Sequence, residues 1–200
     1  NMAVDREAIR RVTMRGLSIP AGIMVAPGVH GHSKAIDIVP KVDVAGAKKL
    51  LAEAGYPSGF EFTLDCPNNR YVNDVGMWAK AGITAKLNSM PFANFIPKIL
   101  NVDSSAYLLG WGVATFDALY TLQSLVHTKT TGADGNFNQG RISDPKLDNT
   151  IGAIKIATDV KARDALLKEA LEKTRDEAYY IPLHHQLRPC HCSDLCIDIH

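Results

Sequence analysis

The sequence predicts an α/β fold with a mainly parallel sheet flanked by helices, and three observations carry that prediction. Residues 42–67 read as helix, stop and strand. Residues 106–111 are a near-continuous apolar run of the kind buried on both faces of a parallel sheet, which predicts a central strand containing Tyr107 to Gly110. The elements as a whole follow the order helix, coil, βαβαβ, helical pair and last strand, which is that of a three-layer lobe. There are no internal repeats and no low-complexity segments.

Each element has a local cause. Residues 3–16 have a helical pattern with Val4, Ala8, Ile9, Val12 and Met14 turned towards a core and Gly16 as the stop. Residues 17–41 form a long coil, broken by Pro20, Pro27, Gly28, Gly31 and Pro40. Its His30 and His32 are expected to face solvent or to bond to backbone, a shared metal being the other reading. Asp43 caps the next helix, where Ala47, Leu50, Leu51 and Ala54 recur at helical spacing until Gly55 and Pro57 end it. The period then changes to two: Phe60, Phe62 and Leu64 alternate with Glu61, Thr63 and Asp65, and Pro67 closes the strand.

Residues 74–81 give a helix that would rise only ~12 Å, short for a parallel crossover. A second strand runs from Ile83 to Ser89, and a short helix follows over 92–100 with Pro97 inside it. After the apolar run comes a helix carrying Leu119, Leu122, Leu125 and Val126, capped by Thr115 or Asp117. Residues 129–140 are a polar loop. Asp144 caps a helix from Pro145 to about Ala157 whose core face is Leu147, Ile151 and Ile154. The helix from Val160 to about Ala178 is scaffold, with Asp164 and Lys168 as an i,i+4 ion pair. Residues 179–185 form a last strand in which Pro182 suits an edge.

Composition narrows the function classes. The 200 residues are 46% hydrophobic and 22% charged, as in an ordinary globular protein, and the net charge of +1 supplies no field for nucleic acid or an anionic membrane. No run approaches the ~18 apolar residues of a membrane span, and the N-terminus lacks a signal-peptide pattern. Of four cysteines, Cys66 stands alone and reads as small-residue packing, while Cys190, Cys192 and Cys196 crowd the end without a closed zinc-finger spacing, so no metal and no cofactor are expected. No nucleophile elbow, phosphate loop, dinucleotide fingerprint or His-Glu-x-x-His helix is present, and the chain is not read as an enzyme.

Residues 47–70, together with Trp78-Ala-Lys-Ala-Gly-Ile83, Tyr107-Leu-Leu-Gly-Trp-Gly112, Gly135-Asn-Phe-Asn138 and Tyr180-Ile-Pro-Leu-His-His-Gln186, carry a family resemblance. The chain resembles the peptide-type periplasmic solute-binding proteins of ABC importers, family 5, which include dipeptide-, oligopeptide- and nickel-binding members. The resemblance covers residues 3–189 and implies the C-terminal lobe of a type II periplasmic binding protein, with residues 190–200 as an atypical tail. It implies a protein that captures a peptide or related small solute in the periplasm and hands it to a membrane permease. Family members are more than twice this long, so the resemblance implies a fragment lacking its N-terminal lobe. They also carry a full-length helix where this chain has only residues 74–81. The alternative is a truncated remnant or self-associating module without transport activity.

The resemblance also nominates site residues. In such proteins the loop after Gly110-Trp111 faces the cleft between lobes, where aromatic groups supply bulk and a few polar groups orient the ligand. Trp111 is the leading aromatic contact, with burial between sheet and helices as its other reading. An aspartate that anchors the ligand's amino group in many peptide-binding members matches Ala114 here, and Asp117 either substitutes for it or caps the following helix. Asn68, Asn69 and Arg70 sit in a turn at the carboxyl end of the first strand, and Asn136, Phe137 and Asn138 match a family loop that lines the cleft or forms a turn. His184 and His185 alternate faces, so one of them at most faces the cleft. Without the other lobe, Ile19, Ile23, Met24 and Val25 are expected to lie uncovered, which predicts homo-oligomers.

Overall fold

A computed structural model describes residues 1–68 and 76–187. The expectations for Asn69, Arg70, the first residues of the 74–81 helix and the cysteine-bearing tail lie outside the described residues.

Asp5 starts the first helix, its carboxylate accepting the Ala8 amide at 2.8 Å. Helix α1 (Arg6–Ala8) runs on as a π-helical turn over Ile9–Thr13, where the Met14 amide reaches back five residues to the Ile9 carbonyl. The extra residue in that turn rotates the helix face. Val4 and Ile9 are buried as expected, while Val12, expected in the core, is 73% exposed. Strand β1 (Ser18–Pro20) opens the Pro/Gly-rich coil.

Helix α2 (Val44–Glu53) is capped by Asp43, whose side chain accepts the Gly46 amide at 2.7 Å, and it ends at Gly55 in the left-handed conformation (φ 88°). Ala47 packs with Ala3, Ala81 and half-buried Met2, Leu51 and Trp78, whereas Leu50 stands exposed.

Strand β2 (Phe60–Pro67) is followed by α3 (Gly76–Ala79) and strand β3 (Ile83–Met90), which pairs with β2 in parallel from Phe60↔Ile83 to Pro67↔Met90. Both strands leave glycine turns at the same level. A Cβ on Gly59 would run into the Gly82 carbonyl, and both glycines have positive φ. Helix α4 (Phe92–Leu100) buries Phe95 and Ile99 and accommodates Pro97. Strand β4 (Ala106–Tyr107) pairs in parallel with β2, so the sheet order is β3-β2-β4.

That order corrects one expectation. The apolar run at 106–111 was expected to be central. Among the described residues it supplies a two-residue edge strand, extended by one bond from the Leu108 amide to the Asp65 carbonyl, with Leu108 and Leu109 half-buried. β2 is central instead, and its carboxyl half, Leu64 to Pro67, is buried on both faces. The sequence alternation in β2 is not matched by alternating burial: Phe60 and Glu61 are both exposed, and Phe62 and Thr63 are both half-buried. Asp65, read as an outward polar residue, is 1% exposed.

Helix α5 (Ala118–Thr121) also continues as a π-helical turn, Leu122–Val126. Helices α6 (Pro145–Ile156) and α7 (Val160–Asp176) follow, capped by Asp144 and Asp159, and Leu147, Ile151 and Ile154 form the buried face of α6 as expected. Strand β5 (His184–Gln186) starts later than the sequence suggested and pairs antiparallel with β1, Ile19 opposite His185.

The chain divides into two compact units. Residues 1–15 with 40–111 hold the three-stranded parallel sheet. Residues 16–39 with the chain from Gly112 onward hold α5 to α7 and the β1–β5 ladder. In this second unit the coil is part of the core: Ala21, Ile23, Val25 and Ile36 are buried. Ile23 and Val25 are therefore not left uncovered, Met24 is half-buried, and Ile19 is 39% exposed. Ala21, Ile23 and Val25 recur at every second position, a pattern that Pro and Gly concealed.

Candidate functional site

In the first unit, parallel pairing brings the carboxyl ends of β2, β3 and β4 to one side, the usual location of ligand loops in open sheets. Asn68 leaves β2 there, its amide bonded to the Met90 carbonyl and its side-chain oxygen accepting the Ser89 hydroxyl at 3.1 Å. Beneath it, Asp65 accepts hydrogen bonds from Asn88 and Ser104, each at 2.6 Å, and Lys98 Nζ lies 3.6 Å away. These groups tie β3, α4 and the loop before β4 to the central strand. The chain leaving β4 reaches Trp111, which is half-buried. Cys66 is fully buried and free, as the packing reading required.

In the second unit, Asp117 is the centre of a charged cluster. Its carboxylate caps α5 by accepting the Leu119 amide at 2.9 Å. It also receives both terminal nitrogens of Arg163, at 2.8 and 3.0 Å, and lies 2.9 Å from His30 Nδ1. Burial works against the charge, but the bonds from Arg163, His30 and the Leu119 amide outweigh it and bring this carboxyl down to about 2. The other nitrogen of His30 is 2.7 Å from Asp164, and the two carboxylates, Asp117 foremost, raise the imidazole above its ordinary value. Both readings of Asp117 were open in the sequence, and the capping one is realised. Ala114 is exposed on the loop before it.

Asn136, Phe137 and Asn138 divide sharply. Asn138 is 2% exposed and staples the loop to itself: its amide nitrogen donates to the His127 and Ile142 carbonyls and its oxygen accepts the Ile142 amide. Asn136 and Phe137 are exposed. Trp111 belongs to the first unit and Asp117 and the 136–138 loop to the second.

A second cluster had no sequence signal. Asp37 Oδ1 accepts the amides of Gly22 (2.6 Å) and Ile23 (3.1 Å), and its Oδ2 is 3.1 Å from His32 Nε2 and 3.7 Å from His185 Nε2. The three side chains are only 9–11% exposed. Burial opposes ionisation here too, yet the His185 imidazole, the Gly22 amide and the His32 imidazole hold the Asp37 carboxyl well below the usual range. His30 is exposed as expected, though its ring is also paired with carboxylates, whereas His32 departs from the expected solvent or backbone setting. His30 is committed to Asp117 and Asp164, 87 and 134 residues away, too far for local pattern to find, and His32 to Asp37, five residues on in a coil without a packing period. Asp164 likewise turns to His30, and Lys168 lies 4.0 Å from Glu172. Among the described residues, no group of three or more His, Cys, Asp or Glu side chains is arranged to hold a metal ion.

The comparisons with known proteins agree with this architecture. The profile of the bacterial extracellular solute-binding proteins, family 5 (middle region), matches residues 1–133. Heme-binding protein A of Haemophilus influenzae is 27% identical over 94% of this chain and 35% of its own length. The glutathione-binding protein GsiB of Salmonella paratyphi A is 26% identical over 92% of the chain and 37% of its own. The fold matches the periplasmic binding protein DppA of Helicobacter pylori, solved with the peptide STSA, with a TM-score of 0.86 at 23% identity over 93% of this chain and 37% of that one. The chain thus spans a little over a third of the length of these relatives. With the profile covering more than half of its residues, it belongs to the bacterial extracellular solute-binding proteins of family 5.

Proposed function

We propose that this chain is part of the substrate-binding component of an ABC importer, capturing a peptide or related small solute outside the cytoplasmic membrane for a membrane permease. The single observation that supports this most is the family 5 profile match over residues 1–133. Relatives named for heme, glutathione and di- and tripeptides set the range of solutes. In this reading residues 3–189 are the second lobe, the site is periplasmic, and the protein binds without catalysing.

The residues assigned to the solute are Trp111, Ala114, Asn136 and Phe137, with Asn69 and Arg70, which follow β2 in sequence. Half-burial of Trp111 and exposure of Asn136 and Phe137 support these assignments. Asp117 and Asn138 enter with a different role. Asp117 is already satisfied by Arg163, His30 and its cap, and Asn138 by three backbone bonds, so both position loops. A ligand ammonium at Asp117 would have to displace the guanidinium of Arg163, at the cost of a bidentate pair.

Calorimetric titration of the chain with di- and tripeptides, glutathione and haem tests the proposal. Saturable binding of one of these, weakened about tenfold or more by Trp111→Ala, is expected, since losing one buried aromatic contact is worth over about 1.4 kcal/mol. No saturable heat with any of them, from a chain that melts cooperatively, overturns the proposal for this segment and favours a non-binding remnant.

A further inference from the structure

The Asp37 cluster is unbalanced in charge. Two imidazoles meet at one carboxylate: His32 from the coil and His185 from β5, the latter with an Nε2 that makes no hydrogen bond. The rings of His32 and His185 stand edge to face, 6.5 Å apart. On the side of α7, the guanidinium of Arg175 donates to the Ile36 carbonyl at 2.9 Å and is itself neutralised by Asp176, with Glu172 nearby. Lys34, in the same coil, is exposed. The ion-pair contacts of His32 and His185 therefore both lead to Asp37.

One carboxylate balances one imidazolium. A second proton leaves net positive charge in a site about nine-tenths buried, where it is poorly solvated. In the adjacent position of β5, burial, and then the neighbouring His185, lower the affinity of His184 for a proton. The same carboxylate holds the amides of Gly22 and Ile23 directly after β1, and His185 lies opposite Ile19 in the β1–β5 ladder. Charge at this point acts on the coil and on both strands.

We propose that His32, Asp37 and His185 form an acid-sensitive latch, in which uptake of a second proton by the imidazoles releases the coil and β5 from Asp37. The latch is closed near neutral pH and opens as the pH falls below the ordinary imidazole range, before Asp37 itself is protonated.

Hydrogen exchange of the full chain tests it. The reporters are the amides of Gly22 and Ile23, bound by Asp37, and of Ala21 and Leu187, which bond to the carbonyls of Leu183 and Leu17. With intrinsic rates corrected, one extra proton taken up on opening makes protection fall about tenfold per pH unit below the transition. That slope is expected between about pH 6.5 and 5, with the β2–β3 amides flat. His185→Gln, and independently His32→Gln, should remove it, while His30→Gln keeps it. Flat wild-type protection down to pH 5, or an unchanged slope in both His185→Gln and His32→Gln, overturns the latch. A slope that starts only below about pH 4 assigns the opening to the carboxylate and overturns it equally.

Discussion

Two carboxylates in the same unit, Asp117 and Asp37, are each met by a histidine of the 17–41 coil, and the two encounters differ in kind. At Asp117 the His30 imidazole is 45% exposed and bridges two carboxylates, with Arg163 alongside. Anions are in excess there, and a proton on His30 is welcome. At Asp37 two imidazoles, His32 and His185, face one carboxylate and water is nearly excluded. His30 and His32 are two residues apart and look alike in sequence. Their roles are set by the count of opposite charges around them and by burial.

The comparison is broken most severely by removing the buried carboxylate. Asp37→Ala strands two backbone amides and an imidazole in a dry site, and a loss of about 3 kcal/mol is expected in urea denaturation. A loss below about 1 kcal/mol would mean that water already reaches the site. Asp117→Ala removes a helix cap and a partly exposed ion pair, for which about 1 kcal/mol is expected, mostly from the cap. Asp117→Asn should recover most of it, because asparagine caps as well as aspartate. If Asn and Ala variants are equally destabilised, the Arg163 pair is the larger part.

The smallest effect carries the sharpest sign. The folded-state affinity of His30 for its proton is raised, so its contribution is complete below the ordinary imidazole value near 6.5 and is lost as the pH rises through the higher folded value. For His184 the folded affinity is lowered, so its contribution is present at neutral pH and above and is lost as the pH falls below the ordinary value. His30→Gln should therefore flatten the alkaline side of the stability profile by a few tenths of a kcal/mol, less in high salt, since the group is exposed. Its acid side should not change, and a change there would show that the two clusters are coupled.

Much of the fold was legible because its causes are local. Asp43, Asp117 and Asp144 cap the helices assigned to them, Gly55 ends α2, and α4 spans the residues its flanking signals marked. What stayed hidden was set by partners far along the chain. The apolar run at 106–111 gave no sign that a more polar strand, β2, would take the central place. The buried Asp65 looked like an outward residue because its donors, Asn88 and Ser104, lie 23 and 39 residues away. The π-helical turns, which move Val12 to the surface, leave no trace in a 3.6-residue pattern. Of the candidate site, the caps and turns were readable, whereas the partners of His30, His32 and Arg163 were not.

The pairing of β1 with β5 has a consequence for the order of assembly. Register Ser18↔Gln186 joins strands near opposite ends of the described chain, whereas β2 and β3 pair 23 residues apart. Closing the larger loop costs about 2 kcal/mol more in chain entropy if nothing in between is yet formed. Once the intervening helices have packed, most of that cost has already been met. The β1–β5 ladder is thus a late event, with few bonds of its own and a dependence on everything between its strands. In a pulse-labelling experiment its amides should gain protection after those of β2 and β3, and a protein synthesised from its N-terminus would hold β1 unpaired until nearly the last described residue had emerged.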